Sequence, residues 1–290
     1  PIGAFVTYLP LQLPIPLFLL ETCHLYVLYS NIGLNMQNAA TTGNLYADLS
    51  QYYDGFCHDV NYAEQCDFTK RAFDCFAESN GHDYLDLACG TGQHLSLMHK
   101  KGFSVTGLDN SQHMLDSTTL RCPSAALMLC DLASFDVDAR FDLISCFLYS
   151  IHYSHPISAL SETLQRAFSA LKSGGVLIFD MVDKNGIAER DVVTQLEQDK
   201  AKFTFRSGWR YSGNGESMEL QVAIQREDAL SVQNWQDYHP MTAITIAQMQ
   251  ALMIATGFSV TILERDYSML KEWEGNSYNV IMVGQKPHID

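Results

Sequence analysis

The residues Asp86-x-x-Cys89-Gly90-Thr91-Gly92 sit where an apolar strand, Tyr84–Leu87, breaks into a turn of small residues. A second apolar strand, Phe103–Leu108, ends at Asp109. Glycines in such a turn let backbone amides approach a ligand closely, because no Cβ intervenes. A carboxylate at the tip of the next strand supplies acceptors for a pair of ribose hydroxyls. Strand, glycine turn, helix and acid-tipped strand make one half of a nucleotide-binding α/β unit. A dinucleotide turn would place glycine at 88, 90 and 93, and this chain has Ala88, Gly90 and Gln93. A P-loop would need Lys-Ser/Thr after the glycines, and none follows. Asp86 would crowd a pyrophosphate but suits an ammonium group.

The segments after the turn follow in a recognisable order. Asn110 to Leu115 reads as a helix start, with Ser111 as its cap and Met114 facing inward. Ala125–Leu129 is a short apolar strand running into Cys130-Asp131-Leu132. Phe141–Phe147 is a nearly continuous apolar run, as expected of a strand buried on both faces. Leu171–Asp180 holds a helix end, a Gly-Gly turn and a fifth strand.

As a set these motifs resemble class I S-adenosylmethionine-dependent methyltransferases, over about residues 44 to 286. The resemblance implies a doubly wound, seven-stranded, Rossmann-like α/β sheet with S-adenosyl-L-methionine as cofactor. It places Ala88, Cys89, Gly90, Thr91 and Gly92 around the cofactor, Asp86 near the ammonium and Asp109 on the ribose. Asn110 and Met114 would border the adenosine. Asp131 would meet the adenine amino group and the Leu132 amide a ring nitrogen, while Cys146 and Phe147 would lie over the sulfonium.

Tyr46, Tyr52 and Tyr53-Asp54-Gly55-Phe56 precede a helix expected from about Tyr62 to Ala77. In small-molecule members of the family such a segment, here residues 44–60, is a lid. Tyr53 matches a position at the methionine end and Tyr46 one that looks into the substrate site. Residues 183–242 read as an insertion: a helical stretch, Gly186–Asp199, then strands around Phe203–Arg206, Met218–Ile224 and Val232–His239. Gly213-Asn214-Gly215 marks a hairpin between the first two. A helix over Ile246–Thr256, stopped by Gly257, and two last strands close the sheet. This layout is similar to sugar N,N-dimethyltransferases of macrolide biosynthesis and, more distantly, glycine N-methyltransferase. The phrase Cys146-Phe-Leu-Tyr-Ser-Ile-His152-Tyr153 stands where the sugar enzymes carry a histidine one place later, so Tyr153 takes that position. His152 is the first candidate for a general base and His239, in the meander, the second, with a structural role open for each.

The charge of −15, from 18 basic and 33 acidic residues, disfavours a nucleic-acid substrate, which calls for a basic face. Eight scattered cysteines without a Cys-x-x-Cys pair suit a reducing cytoplasm, and no metal set is expected. Residues 1–35 contain no Lys or Arg, and Pro10, Pro14 and Pro16 break their apolar run. That pattern fits neither a signal peptide nor a membrane span, so the stretch is expected to stand outside the fold, with the functional domain, residues 36–290, beginning at Met36. The expected activity is methyl transfer to a small-molecule amine, with no nucleic-acid or membrane partner and a homodimer through the meander. The alternatives are a small-molecule O-methyltransferase and a non-catalytic S-adenosylmethionine-binding protein.

Overall fold

The computed structural model describes residues 41–47 and 49–288; the extension 1–35 and its proposed boundary at Met36 lie outside them. The chain runs through β1 (Thr41–Thr42), a short 3-10 turn, α1 (Tyr53–Phe56) and α2 (Tyr62–Phe76). Then come β2 (Asp83–Leu87), α3 (Gln93–Lys100), β3 (Ser104–Asp109), α4 (Gln112–Arg121) and β4 (Ala126–Leu129). β5 (Phe141–Cys146), α5 (Ile157–Ala170) and β6 (Leu171–Val182) follow. Next are the meander strands β7 (Asp191–Gln198), β8 (Ala201–Arg210), β9 (Ser217–Glu227) and β10 (Val232–Thr242). The chain closes with α6 (Ile246–Thr256), β11 (Ser259–Glu264) and β12 (Asn279–Gln285).

Seven strands form the central sheet in the order β11-β12-β6-β5-β2-β3-β4. The five from β6 to β4 are parallel, and β12 enters antiparallel to β6. The apolar runs read from the sequence are those buried on both faces: every residue of β5 is buried, as are Val176 to Val182 of β6. The order of connection reverses between β2 and β5. At such a switch point the loops from neighbouring strands part and leave a crevice at the strands' carboxyl ends. The glycine turn, Asp109 and Phe147 all stand at that end.

The insertion departs from expectation at its start. The stretch 186–199 is not helical; it holds the end of a 3-10 turn (Lys184–Gly186) and strand β7. Half-buried Val192, Thr194 and Leu196 alternate with exposed neighbours, a period of two that suits a strand. Asp199 and Lys200 both take positive φ, the two-residue turn that matches the twist of a hairpin. The remaining strands and the turn around Gly213–Gly215 fall where the sequence places them. β7 to β10 form an antiparallel meander, extended by β1 parallel to β10.

One face of this second sheet carries Phe203, Phe205, Val222 and Ile224, which pack against Leu45, Leu49, Tyr52, Tyr53 and Phe56. The segment expected to be a lid is thus held by an aromatic core of the insertion. Phe203 and Phe205 stack at 5.9 Å, and Phe56 meets Phe205 edge-on at 6.0 Å. Phe205→Ala should therefore destabilise the protein by about 3–5 kcal/mol through lost burial and the cavity left behind. Urea unfolding checks this; a loss under about 1 kcal/mol would mean that the lid is not packed on the meander.

Candidate active site

The turn after β2 is built on left-handed backbone: Ala88, Gly90 and Gly92 have φ of 55°, 53° and 78°. At Gly92 a Cβ would lie 2.7 Å from the Thr118 side chain, so both conformation and space demand glycine. At Gly90 a Cβ would lie 3.6 Å from the Tyr53 ring, which covers the turn. The Asp109 carboxylate secures this turn. Its Oδ2 accepts from the Gly90 amide and its Oδ1 from the Ser111 amide, each at 2.9 Å. Burial raises the Asp109 carboxyl above its ordinary range, and the backbone amides oppose that shift. Each carboxylate oxygen accepts more than one bond, so capacity for two hydroxyls remains. Ser111 caps α4 by accepting the Met114 amide at 3.3 Å, and Met114 is fully buried.

Beneath the turn a pocket is lined by Tyr53, Tyr62, Asp86, Ala88, Cys89, Thr91, His94 and Phe147, among others. Asp86 is buried at its inner end. Its Oδ1 accepts from Ser145 Oγ at 2.9 Å, and Ser145 Oγ pairs with the Tyr84 hydroxyl at 2.6 Å. Asp86 Oδ2 has no hydrogen-bond partner among the described residues. Burial pushes this carboxyl up to about 7, against the Ser145 and Tyr84 hydrogen bonds. A buried carboxylate oxygen without a donor is costly, and an ammonium group would satisfy it.

The lid is fastened to the turn by side chains. Thr91 Oγ1 donates to Asp54 Oδ1 at 2.7 Å, Arg121 Nη2 to Asp54 Oδ2 at 2.5 Å, and Ser111 Oγ to the Tyr46 carbonyl. On the far side of Tyr53 a polar aromatic cluster gathers. The Tyr46 and Tyr153 hydroxyls are 2.5 Å apart, and the His239 ring lies 5.0 Å from Tyr46 and 5.7 Å from Tyr153. His239 Nε2 is 3.1 Å from Asp237 Oδ2, which also accepts the Leu45 amide at 2.6 Å. Burial lowers the His239 pKa, with Asp237 opposing the shift.

Comparison with known proteins agrees with the fold. A methyltransferase-domain family model matches residues 85–175, which span the glycine turn and Asp109. The dTDP-3-amino-3,4,6-trideoxy-α-D-glucopyranose N,N-dimethyltransferase of Streptomyces venezuelae is 27% identical over 62% of this chain and 76% of its own. The dTDP-3-amino-3,6-dideoxy-α-D-glucopyranose N,N-dimethyltransferase of Streptomyces fradiae is 24% identical over 79% and 92%. Among solved structures, DesVI of Streptomyces venezuelae superposes with a TM-score of 0.70 at 23% identity, covering 83% of this chain and 99% of that one. The sugar N-methyltransferase KedS8 of Streptoalloteichus gives 0.71 at 19%, covering 87% and 99%. Residues 85–175 thus carry a methyltransferase domain, and the chain has the fold of the class I S-adenosylmethionine-dependent methyltransferases.

In this methyltransferase the structure gathers Tyr53, Asp86, Ala88, Cys89, Gly90, Thr91, Gly92 and Asp109 around one crevice. Asn110 is exposed beside Asp109, and Asp131, exposed after β4, accepts the Ala133 amide at 3.0 Å with Leu132 buried behind it. Two placements need correction. Cys146 is sealed in the main core, because the strand pleat sends it to the face opposite Ser145; Phe147 alone reaches the pocket. His152 is buried with Nδ1 2.7 Å from the Thr242 carbonyl and Nε2 accepting from the Val182 amide at 3.2 Å. Both nitrogens are committed to backbone, so no lone pair is left to take a substrate proton. Asp237 escaped sequence reasoning, although its two-residue spacing from His239 on a strand puts both on one face.

Burial lowers the His152 pKa, so it folds neutral. The unfolded chain then binds more protons below about pH 6.5, and this contribution to stability fades as pH falls through that value. His152→Ala should cost about 2–4 kcal/mol by stranding two buried backbone groups, and should flatten the stability loss between pH 7.5 and 5. Urea unfolding at both pH values checks it; unchanged stability with lost turnover would restore the base assignment.

Proposed function

We propose that this enzyme methylates the amino group of a small polar acceptor, an amino sugar being the class suggested by the names of its relatives. The observation that carries this reading is the Tyr46–Tyr153–His239–Asp237 cluster, set next to Tyr53 at the mouth of a pocket that suits the cofactor. Bound S-adenosylmethionine supplies a methyl group already activated on a sulfonium. The chain's part is to hold, orient and deprotonate. Asp86 takes the ammonium, Asp109 the ribose hydroxyls, and Tyr53 closes the methionine end. Asn110 borders the adenosine, with Met114, fully buried at 0% exposure, supporting it from within the core, and Asp131 with the Leu132 amide meets the adenine. Phe147 shields the reacting sulfur from water.

Tyr46 and Tyr153 orient the acceptor through their paired hydroxyls. An amine that arrives as ammonium must lose a proton before its lone pair can attack. His239, kept neutral at pH 7 by burial, accepts that proton, and Asp237 stabilises the resulting imidazolium. The acceptor is a small molecule rather than nucleic acid, since the chain carries −15 charge. A reducing cytoplasm suits its free cysteines. The domain runs from 36 to 290, and the edge of β7 is where two copies would pair.

The test is methyl transfer to a panel of amino sugars, free and nucleotide-linked, followed by mass spectrometry, with His239→Gln beside the unaltered protein. The variant should turn over about 10²–10⁴-fold more slowly while binding S-adenosylhomocysteine as before. Methylation confined to hydroxyl acceptors, or full activity in His239→Gln, would overturn the reading.

A further inference from the structure

Asp86 and His94 face each other across the inner end of the pocket. Asp86 Oδ2, the oxygen without a partner among the described residues, is 3.8 Å from His94 Nδ1. His94 Nε2 donates to Gln65 Oε1 at 2.8 Å, which places the ring proton on Nε2 and leaves Nδ1 an acceptor. Tyr62 meets the ring edge-on at 5.0 Å and Phe147 lies 5.3 Å away on a tilted plane, so its orientation is fixed. His94 is 6% exposed and Asp86 1%. Two buried acceptors therefore confront one another, an arrangement that is stable only with a donor between them.

We infer that Asp86 and His94 form a two-acceptor seat for an ammonium group, that His94 is its positioning residue, and that in the empty seat Asp86 carries a proton which an arriving ammonium displaces. The inference rests on the S-adenosylmethionine reading, since the methionine half of that cofactor bears the ammonium. On binding, the Asp86 O–H bond breaks and the proton leaves to solvent. The ammonium keeps its own three hydrogens and donates to the Asp86 carboxylate. Nothing is oxidised or reduced.

Burial pushes Asp86 up to about 7 and His94 down to about 4, so the proton of the empty seat resides on Asp86. The other titratable groups facing the pair are Tyr84, Cys66, Cys89, Cys146 and Asp109 around Asp86, and Tyr62 against His94. Burial raises each of those thiols and phenols, moving them further from neutral pH. Asp109 is raised as well but stands on the ribose side, where a nucleoside control reports on it.

Calorimetric titration of the full chain with S-adenosylhomocysteine, in buffers of differing ionisation enthalpy, counts the protons released. Release should be larger at pH 6 than at pH 8, since burial raises the Asp86 carboxyl. 5′-Methylthioadenosine, which shares the nucleoside and lacks the amino-acid half, should release none. His94→Phe should weaken S-adenosylhomocysteine about tenfold and leave methylthioadenosine unchanged. Binding of S-adenosylhomocysteine without proton release at pH 6 and 7, or equal release with methylthioadenosine, would overturn the seat. Equal weakening of both ligands in His94→Phe would overturn the positioning role. If S-adenosylhomocysteine does not bind while methylthioadenosine or neither does, the cofactor reading falls and the seat with it.

Discussion

The Asp109 carboxylate joins three pieces of chain at one point. It ends β3, accepts the Gly90 amide from the turn after β2, and accepts the Ser111 amide at the start of α4. Thr118, about two helix turns further along α4, donates to the Gly90 carbonyl at 2.8 Å, so the turn is held through both its amide and its carbonyl. Left-handed backbone at 88, 90 and 92 is affordable only where the surroundings over-determine it. The amino end of α4 helps to stabilise the buried charge. From this joint follow the pocket beneath the turn and the anchorage of the lid above it.

The lid ties the two sheets to the site. Its aromatic residues are buried by the meander, while its Asp54 and the Tyr46 carbonyl are held by Thr91, Arg121 and Ser111, which border the turn. Tyr53 therefore sits over Gly90 because Phe203 and Phe205 hold the segment from one side and the turn holds it from the other. A substitution in the meander should be felt at the cofactor pocket without touching it.

Much of this was legible in the sequence because it depends on local rules. The glycine turn, the acid after β3, the Ser111 cap and the fully apolar β5 each follow from backbone chemistry within a few residues. Stretch 186–199 misled because its charged residues mask a period of two that only the neighbouring strand makes decisive. His152 was placed rightly after β5, but its partners Val182 and Thr242 are 30 and 90 residues away. The same distance hid the seat at Asp86, where Gln65 on α2 decides which nitrogen of His94 carries the proton. Position along a motif could be read; hydrogen-bond direction across the fold could not.

Every proposed role depends on where the cofactor lies relative to Asp86, Asp109 and the tyrosine pair. A crystal structure of the complex with S-adenosylhomocysteine measures this directly. The account predicts the ammonium within hydrogen-bond distance of Asp86 Oδ2, both ribose hydroxyls on Asp109, and the sulfur directed toward Tyr46 and Tyr153. A ligand bound with Asp86 Oδ2 still unpartnered, or with its sulfur turned away from the tyrosine pair, would contradict it.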